Sequence, residues 1–182
     1  MEHQDDRIAP PRQVVSDLDP TVWSRLPPLL PQKILSFVAD HVFTSKEQLI
    51  QAVDAYVADP PAFVCYHISS WDVSQITDFS HVFDARRNPR LRTFNEDLSR
   101  WIVSNSMNFD SMFQGCTSFN SDVSSWQVSN ATNLSHMFFQ CASFNSDVSS
   151  WDVSNATLLC GMFSGCTSFN GDVSSWDVSS AT

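Results

Sequence analysis

Residues 126–150 read WQVSNATNLSHMFFQCASFNSDVSS, and the same frame returns on both sides. Residues 101–125 are WIVSNSMNFDSMFQGCTSFNSDVSS and residues 151–175 are WDVSNATLLCGMFSGCTSFNGDVSS, so Trp101, Trp126, Trp151 and Trp176 stand 25 residues apart. Trp71 precedes Trp101 by 30, because its unit, WDVSQITDFSHVFDARRNPRLRTFNEDLSR, holds five extra residues between Val82-Phe83 and Phe94-Asn95. Trp176 opens WDVSSAT, the start of a fifth unit. A fixed period of roughly 20–50 residues marks a stack of structural repeats.

Within a unit, Val123-Ser-Ser-Trp126-Gln-Val128 alternates apolar and polar residues, which predicts a short half-buried strand. Asn130 to Thr132 supply turn and cap chemistry. Leu134, Met137 and Phe138 fall three and four apart, which predicts one or two turns of helix, with Cys141 and Phe144 as the next inward positions. One such unit cannot bury both faces alone, whereas stacking would set Trp on Trp and Phe on Phe. The expected fold is therefore an α/β repeat, a solenoid with a short strand plus a short helix per 25-residue unit. It would occupy 69–182 as four full repeats and the start of a fifth, with an Arg-rich insertion at about 84–93.

The shared pattern W-D-V-S-N-x-T-x-x-x-x-M-F-x-G-C-x-S-F-N-x-D-V-S-S resembles the 25/26-residue repeat of BspA-like leucine-rich-repeat surface proteins, found in mycoplasma and Listeria lipoproteins and common in unicellular algae. Lys46 to Asp59 also resembles the helical lead-in of algal members. The resemblance implies a leucine-rich-repeat-like solenoid used for binding and adhesion, without catalysis, at the cell surface or secreted. The chain opens MEHQDDRIAPPRQ, an acidic start with Pro10-Pro11 that is no secretory signal, so the default expectation is cytoplasmic.

Ahead of the repeats the composition changes: 25 of the 29 Ser lie after residue 68. Residues 1–22 are polar and Pro-broken, and read as a disordered or extended segment. Residues 23–68 read as an N-terminal helical cap. Pro31 starts a helix over about 31–43, and Thr44 or Ser45 caps a second, with Glu47 and Gln48 as capping-box partners. Leu49, Ile50, Val53, Tyr56 and Val57 form its apolar stripe, and Asp59-Pro60-Pro61 stops it.

Composition excludes several functions. A net charge of −10 with only 10 Lys and Arg argues against nucleic acid, whose phosphates need clustered positive charge. No uncharged run is apolar enough for a membrane span. Four Gly leave little supply for phosphate loops. Five Cys with no CxxC make neither a disulfide framework nor a zinc set. His3, His41, His67, His81 and His136 form no catalytic spacing with Ser, Cys or Asp, so no enzyme and no cofactor is expected.

A fixed period turns residue types into columns. Trp101, Trp126, Trp151 and Trp176, with Phe94, Phe119, Phe144 and Phe169, are expected as a structural ladder. Asn95, Asn120, Asn145 and Asn170 are expected as an internal ladder that bonds turn backbone. Asp97, Asp122, Asp147 and Asp172 form one acidic column, and Asp72, Asp152 and Asp177 another, interrupted by Ile102 and Gln127. Stacked about 4.8 Å apart, such carboxylates repel, and Ca²⁺ would relieve this in a cation-dependent adhesin. Solvated turn Asp is the plainer reading, and no metal site is expected. Cys116, Cys141 and Cys166 read as buried thiols.

The insertion carries Arg86, Arg90 and Arg92 with Arg87, while residues 93–182 hold eight acidic residues and one basic. These four Arg are the candidate partner-binding residues, because insertions in repeat stacks lie on one face. The expected function is a non-enzymatic interaction or adhesion domain with a protein or glycan ligand. An alternative comes from Leu26 to Val38, LPPLLPQKILSFV, which resembles the start of an F-box and implies a ubiquitin-ligase substrate adaptor. Trp176 to Thr182 supplies no polar cap, so the expectation is either a piece of a longer repeat protein or self-association through the last repeat.

Overall fold

The computed structural model describes residues 42–60 and 67–182. The 1–22 segment, the F-box-like stretch 26–38 and most of the expected first helix lie outside the described residues. The last two positions of that helix, Val42 and Phe43, are extended instead: Val42 forms a parallel bridge with Asp72, and Phe43 N–H donates to the Asp72 carbonyl (2.9 Å).

Helix α1 spans Lys46–Ala58. Ser45 is its N-cap, accepting the Gln48 N–H, and Asp59 closes its C-terminus. Leu49, Val53 and Tyr56 are its buried stripe, with Ile50 and Val57 packed at the margin. They cover the first repeat unit, where Tyr56 meets Trp71 edge-on at 5.9 Å and Phe43 lies 5.2 Å from the same ring.

The repeats correct the expected architecture. Among the described residues α1 is the only α-helix and no strand forms, so the units are not the strand-plus-helix units of a leucine-rich-repeat solenoid. Each unit is built from turns, and contacts between units are isolated parallel bridges that join Asp78, Asn108, Asn133 and Leu158 in one line. The expected strand is closed by two turns, Trp126 N–H to the Val123 carbonyl and Ala131 N–H to the Val128 carbonyl. The expected helix fails for a clear reason. His136 and Gln140 have φ of 53° and 60°, in the left-handed region that no right-handed helix admits. The N–H groups of Leu134, His136, Phe138 and Gln140 therefore do not reach back along their own segment. They donate forward, to the carbonyls of Leu158, Cys160, Met162 and Ser164 in the next unit (2.7–3.0 Å). The same pattern joins Phe109, Ser111, Phe113 and Gly115 to Asn133, Ser135, Met137 and Phe139.

Side chains complete the register. The Trp indole N–H groups donate to backbone carbonyls 28 residues earlier, three positions before the preceding Trp: Trp126 to Leu98 (3.0 Å), Trp151 to Val123 (3.1 Å) and Trp176 to Val148 (3.0 Å). Two Phe columns fill the core. Phe113 lies 5.7 Å from Phe138 in parallel planes, Phe119 lies 6.1 Å from Phe144, and within one unit Phe138 stacks on Phe144 at 3.9 Å. Each buried Phe contributes about 1.5–3 kcal/mol through its removal from water. Offset ring pairs add roughly 0.5–1.5 kcal/mol. The stack is held by apolar columns inside and by backbone bonds between successive units, running forward from Leu134 to Gln140 and backward from Thr132 and Ser143.

Candidate interaction surface

The insertion is anchored before it is exposed. Asp84 is buried, takes the Arg86 N–H (2.8 Å) and bonds the His81 ring at 3.0 Å. Asn88 caps the 3₁₀ turn Pro89–Thr93 by accepting the Arg90 N–H, and Leu91 is buried beneath it. Two side chains then tie the insertion to α1. Arg87 pairs with Asp54 at 2.6 Å and donates to the His81 and Val82 carbonyls, while Asn88 donates to the other Asp54 oxygen at 2.7 Å. Lys46 clamps the start of α1 to Asp78 (2.7 Å) and Ser80 (2.9 Å).

This divides the four candidate Arg. Arg87 is half-buried and its guanidinium is committed to holding α1 against the insertion. Arg86, Arg90 and Arg92 are exposed, and none is ion-paired among the described residues. The Arg92 backbone carbonyl accepts from Thr117 Oγ1 and Ser118 N–H, so the next unit holds the main chain below these guanidiniums.

Three of the ladder Asn are bonded to the unit before. Asn120 N–H donates to Asn95 Oδ1 (2.7 Å), Asn145 to Asn120 (2.7 Å) and Asn170 to Asn145 (2.8 Å). These Asn are exposed, so the ladder runs along the surface and not inside. A second amide row, Asn105, Asn130 and Asn155, donates to the carbonyls of Ser74, Ser104 and Ser129. Cys116, Cys141 and Cys166 donate S–H to Phe83, Phe113 and Phe138 carbonyls. Burial pushes the Cys116 and Cys141 thiols well above their ordinary range, and Cys166 up to about 11.

Both acidic columns make local turns. Asp97, Asp122, Asp147 and Asp172 accept the N–H of Ser99, Ser124, Ser149 and Ser174, and Asp152 and Asp177 accept that of Ser154 and Ser179. These bonds hold the carboxyls below the usual carboxylate range. At Asp122 they outweigh the repulsion from Asp97 and Asp147. Among the described residues no group of three or more His, Cys, Asp or Glu is placed to hold a metal ion, and no helix is long and apolar enough to cross a membrane.

One cluster was not visible from spacing. His81 sits between Asp84 (3.0 Å) and Asp110 (3.5 Å), and Asp110 also faces His136 at 3.9 Å. His81, Ser111, His136 and Gly161 share one column, and all have positive φ. Each stands ten residues after its Trp, because the extra residues of the first unit come after His81.

A family model matches residues 47–140 and again 123–182, together well over half of the chain; it describes a mycoplasma protein of unknown function, DUF285. The chain belongs to this family. The two overlapping DUF285 matches run through α1 and the repeats alike. Neither a curated protein nor a solved structure matches the chain.

Proposed function

We propose that this DUF285 chain is a non-enzymatic binding module of the BspA-like surface type, and that it engages an acidic macromolecular partner through Arg86, Arg90 and Arg92. The observation that carries this reading is the contrast within the insertion: Arg87 is tied to Asp54, whereas its three neighbours are exposed and unpaired. Residues 93–182, which follow them, hold eight acidic residues and one basic. Guanidiniums kept free on an anchored loop are preorganised for carboxylates or sulfates, because little chain entropy is lost when they bind.

The test uses a poly-glutamate peptide as the probe, titrated onto the full chain at low and high salt. Replacing Arg86, Arg90 and Arg92 together by Ser is expected to weaken binding at least tenfold and flatten its salt dependence. Arg87→Ser should lower the melting temperature with a smaller effect on binding. Equal binding by the triple variant and the parent would end this reading.

A further inference from the structure

The chain departs from the repeat at three outward positions around the start of the second unit, Arg100, Ile102 and Met107. Arg100 stands where the other units carry Ser70, Ser125, Ser150 and Ser175. Ile102 stands where they carry Asp72, Asp152 and Asp177, and its neighbour in the stack, Gln127, also lacks the charge. Met107 stands where they carry Thr77, Thr132, Thr157 and Thr182.

None of these residues serves the stack. Met107 N–H donates to the Thr77 carbonyl just as Thr132 N–H donates to Met107, so the backbone register is unaffected by the side chain. Arg100 and Ile102 instead forgo bonds that their columns make elsewhere. Ser125 and Ser150 hydroxyls donate to the carbonyls of Ser99 and Ser124. Asp72 and Asp152 accept from Ser74 and Ser154. Thr132 and Thr157 hydroxyls donate to the carbonyls of Met107 and Thr132. Arg100 and Ile102 make none of these, whereas at Met107 the missing hydroxyl bond is made by Ser106, whose Oγ donates to the Thr77 carbonyl (3.0 Å); Ile102 and Met107 remain 60% and 54% exposed. Two lost bonds side by side, at Arg100 and Ile102, with apolar surface left in water, need a gain outside the fold.

The local shape and charge say what that gain is. Arg100, Ile102, Val103, Ser104, Ser125 and Gln127 line a shallow groove of about 250 Å³. That is below the volume of a drug-sized pocket and is suited to one anchoring side chain. Met107 lies outside it, beyond the turn at Ser104-Asn105. Arg100 is the only basic residue from 93 to 182, and it has no ion pair among the described residues; it acts on Asp97 only through space. Loss of Asp at 102 and 127 removes the carboxylates that would compete for it.

We propose that this groove docks a segment of a partner protein that carries an apolar side chain beside a carboxylate, the apolar group on Ile102 and the carboxylate on Arg100. This surface stands on observations separate from those at the insertion, and either can fail alone. The apolar contact gives a desolvated centre and the ion pair sets orientation, the usual division of roles in a small interface.

The experiment selects from a phage-displayed library of random linear peptides on the immobilised full chain, then measures synthetic copies of the enriched peptides. The expected enrichment is an aliphatic or aromatic residue within a few positions of Asp or Glu. Arg100→Ser and Ile102→Asp should each weaken the selected peptides, by ~30-fold for the anchor Ile102. Met107→Thr should weaken them less. Because these changes install the residues that neighbouring units carry, the melting temperature should hold or rise, which separates lost docking from lost folding. Failure of any such peptide to enrich would overturn the proposal. So would selected peptides that bind the Arg100→Ser/Ile102→Asp variant as well as the parent. Enriched peptides whose binding responds only to Arg86, Arg90 and Arg92 would overturn it in favour of the insertion.

Discussion

Two stretches of identical sequence behave differently in this molecule. Asp147 to Trp151 and Asp172 to Trp176 both read DVSSW. Val148 is fully buried (0% exposed) while Val173 is 38% exposed, and Trp151 is buried while Trp176 is only partly so. Phe144 and Phe169 differ in the same way. The difference lies in what covers each unit. A unit's core is completed by the unit that follows it, and at the other end by α1. Stability should therefore be a property of neighbouring pairs more than of units.

The strongest way to break this comparison is the Phe column. Phe138 touches Phe113, Phe119, Phe144 and Phe163, so Phe138→Ala is expected to cost about 3–5 kcal/mol. Phe169 touches Phe144 and Phe163 and is partly exposed, so Phe169→Ala should cost about 1–2 kcal/mol. Urea denaturation of both variants would decide, and equal losses would mean that units are stable individually.

The Trp column gives a smaller effect. Trp126→Phe keeps most of the ring but removes the indole bond to the buried Leu98 carbonyl, which still accepts from Trp101 N–H, for about 0.5–1.5 kcal/mol. Trp176→Phe removes the indole bond to the Val148 carbonyl, which keeps Trp151 N–H, at a part-buried site where water can replace the indole, so its cost should be under half of that. Similar melting temperatures for the two variants would show that the indole bonds are not what discriminates the units.

The Asn column sharpens the same point. Asn120 Oδ1 accepts from Asn145 N–H, so Asn120→Ala should cost about 1 kcal/mol. No residue among those described donates to Asn170 Oδ1, and Asn170→Ala should be close to neutral. Hydrogen exchange at the amide of Asn145 is the direct readout. It should speed up in Asn120→Ala and stay slow in Asn170→Ala.

The period, the columns and α1 were legible in the sequence because each has a local signature: Trp every 25 residues, and Ser45 ahead of an apolar stripe. The conformation inside a unit was not. Leu134, Met137 and Phe138 have helical spacing, yet they sit in turns whose bonds leave the unit, and spacing does not distinguish the two. A signal existed in the columns themselves. His136 aligns with Gly161, and Gln140 with Gly115 and Gly165; Gly recurring in those columns marks a left-handed backbone. At the insertion, the positive charge was legible and its division was not, because Asp54 lies 33 residues before Arg87 and only the folded α1 brings them together.

The Asp column should ignore the comparison altogether, and it carries the smallest effect. Its bonds close inside each unit, Asp147 to Ser149 and Asp172 to Ser174, so the neighbour that buries Phe144 has no bearing on them. In both units, hydrogen bonds from the Ser lower the carboxyl below its ordinary value of 3.8. A carboxyl that is more acidic folded than unfolded stabilises the fold above 3.8, and this contribution fades as pH falls through 3.8 toward the lower folded value. Melting temperature should therefore decline between about pH 5 and about pH 3. Asp147→Asn and Asp172→Asn should each remove an equal share of that decline, since both side chains are exposed and bonded alike. A smaller share for Asp147 would mean that repulsion along the column, which raises its carboxyl, offsets the Ser bond.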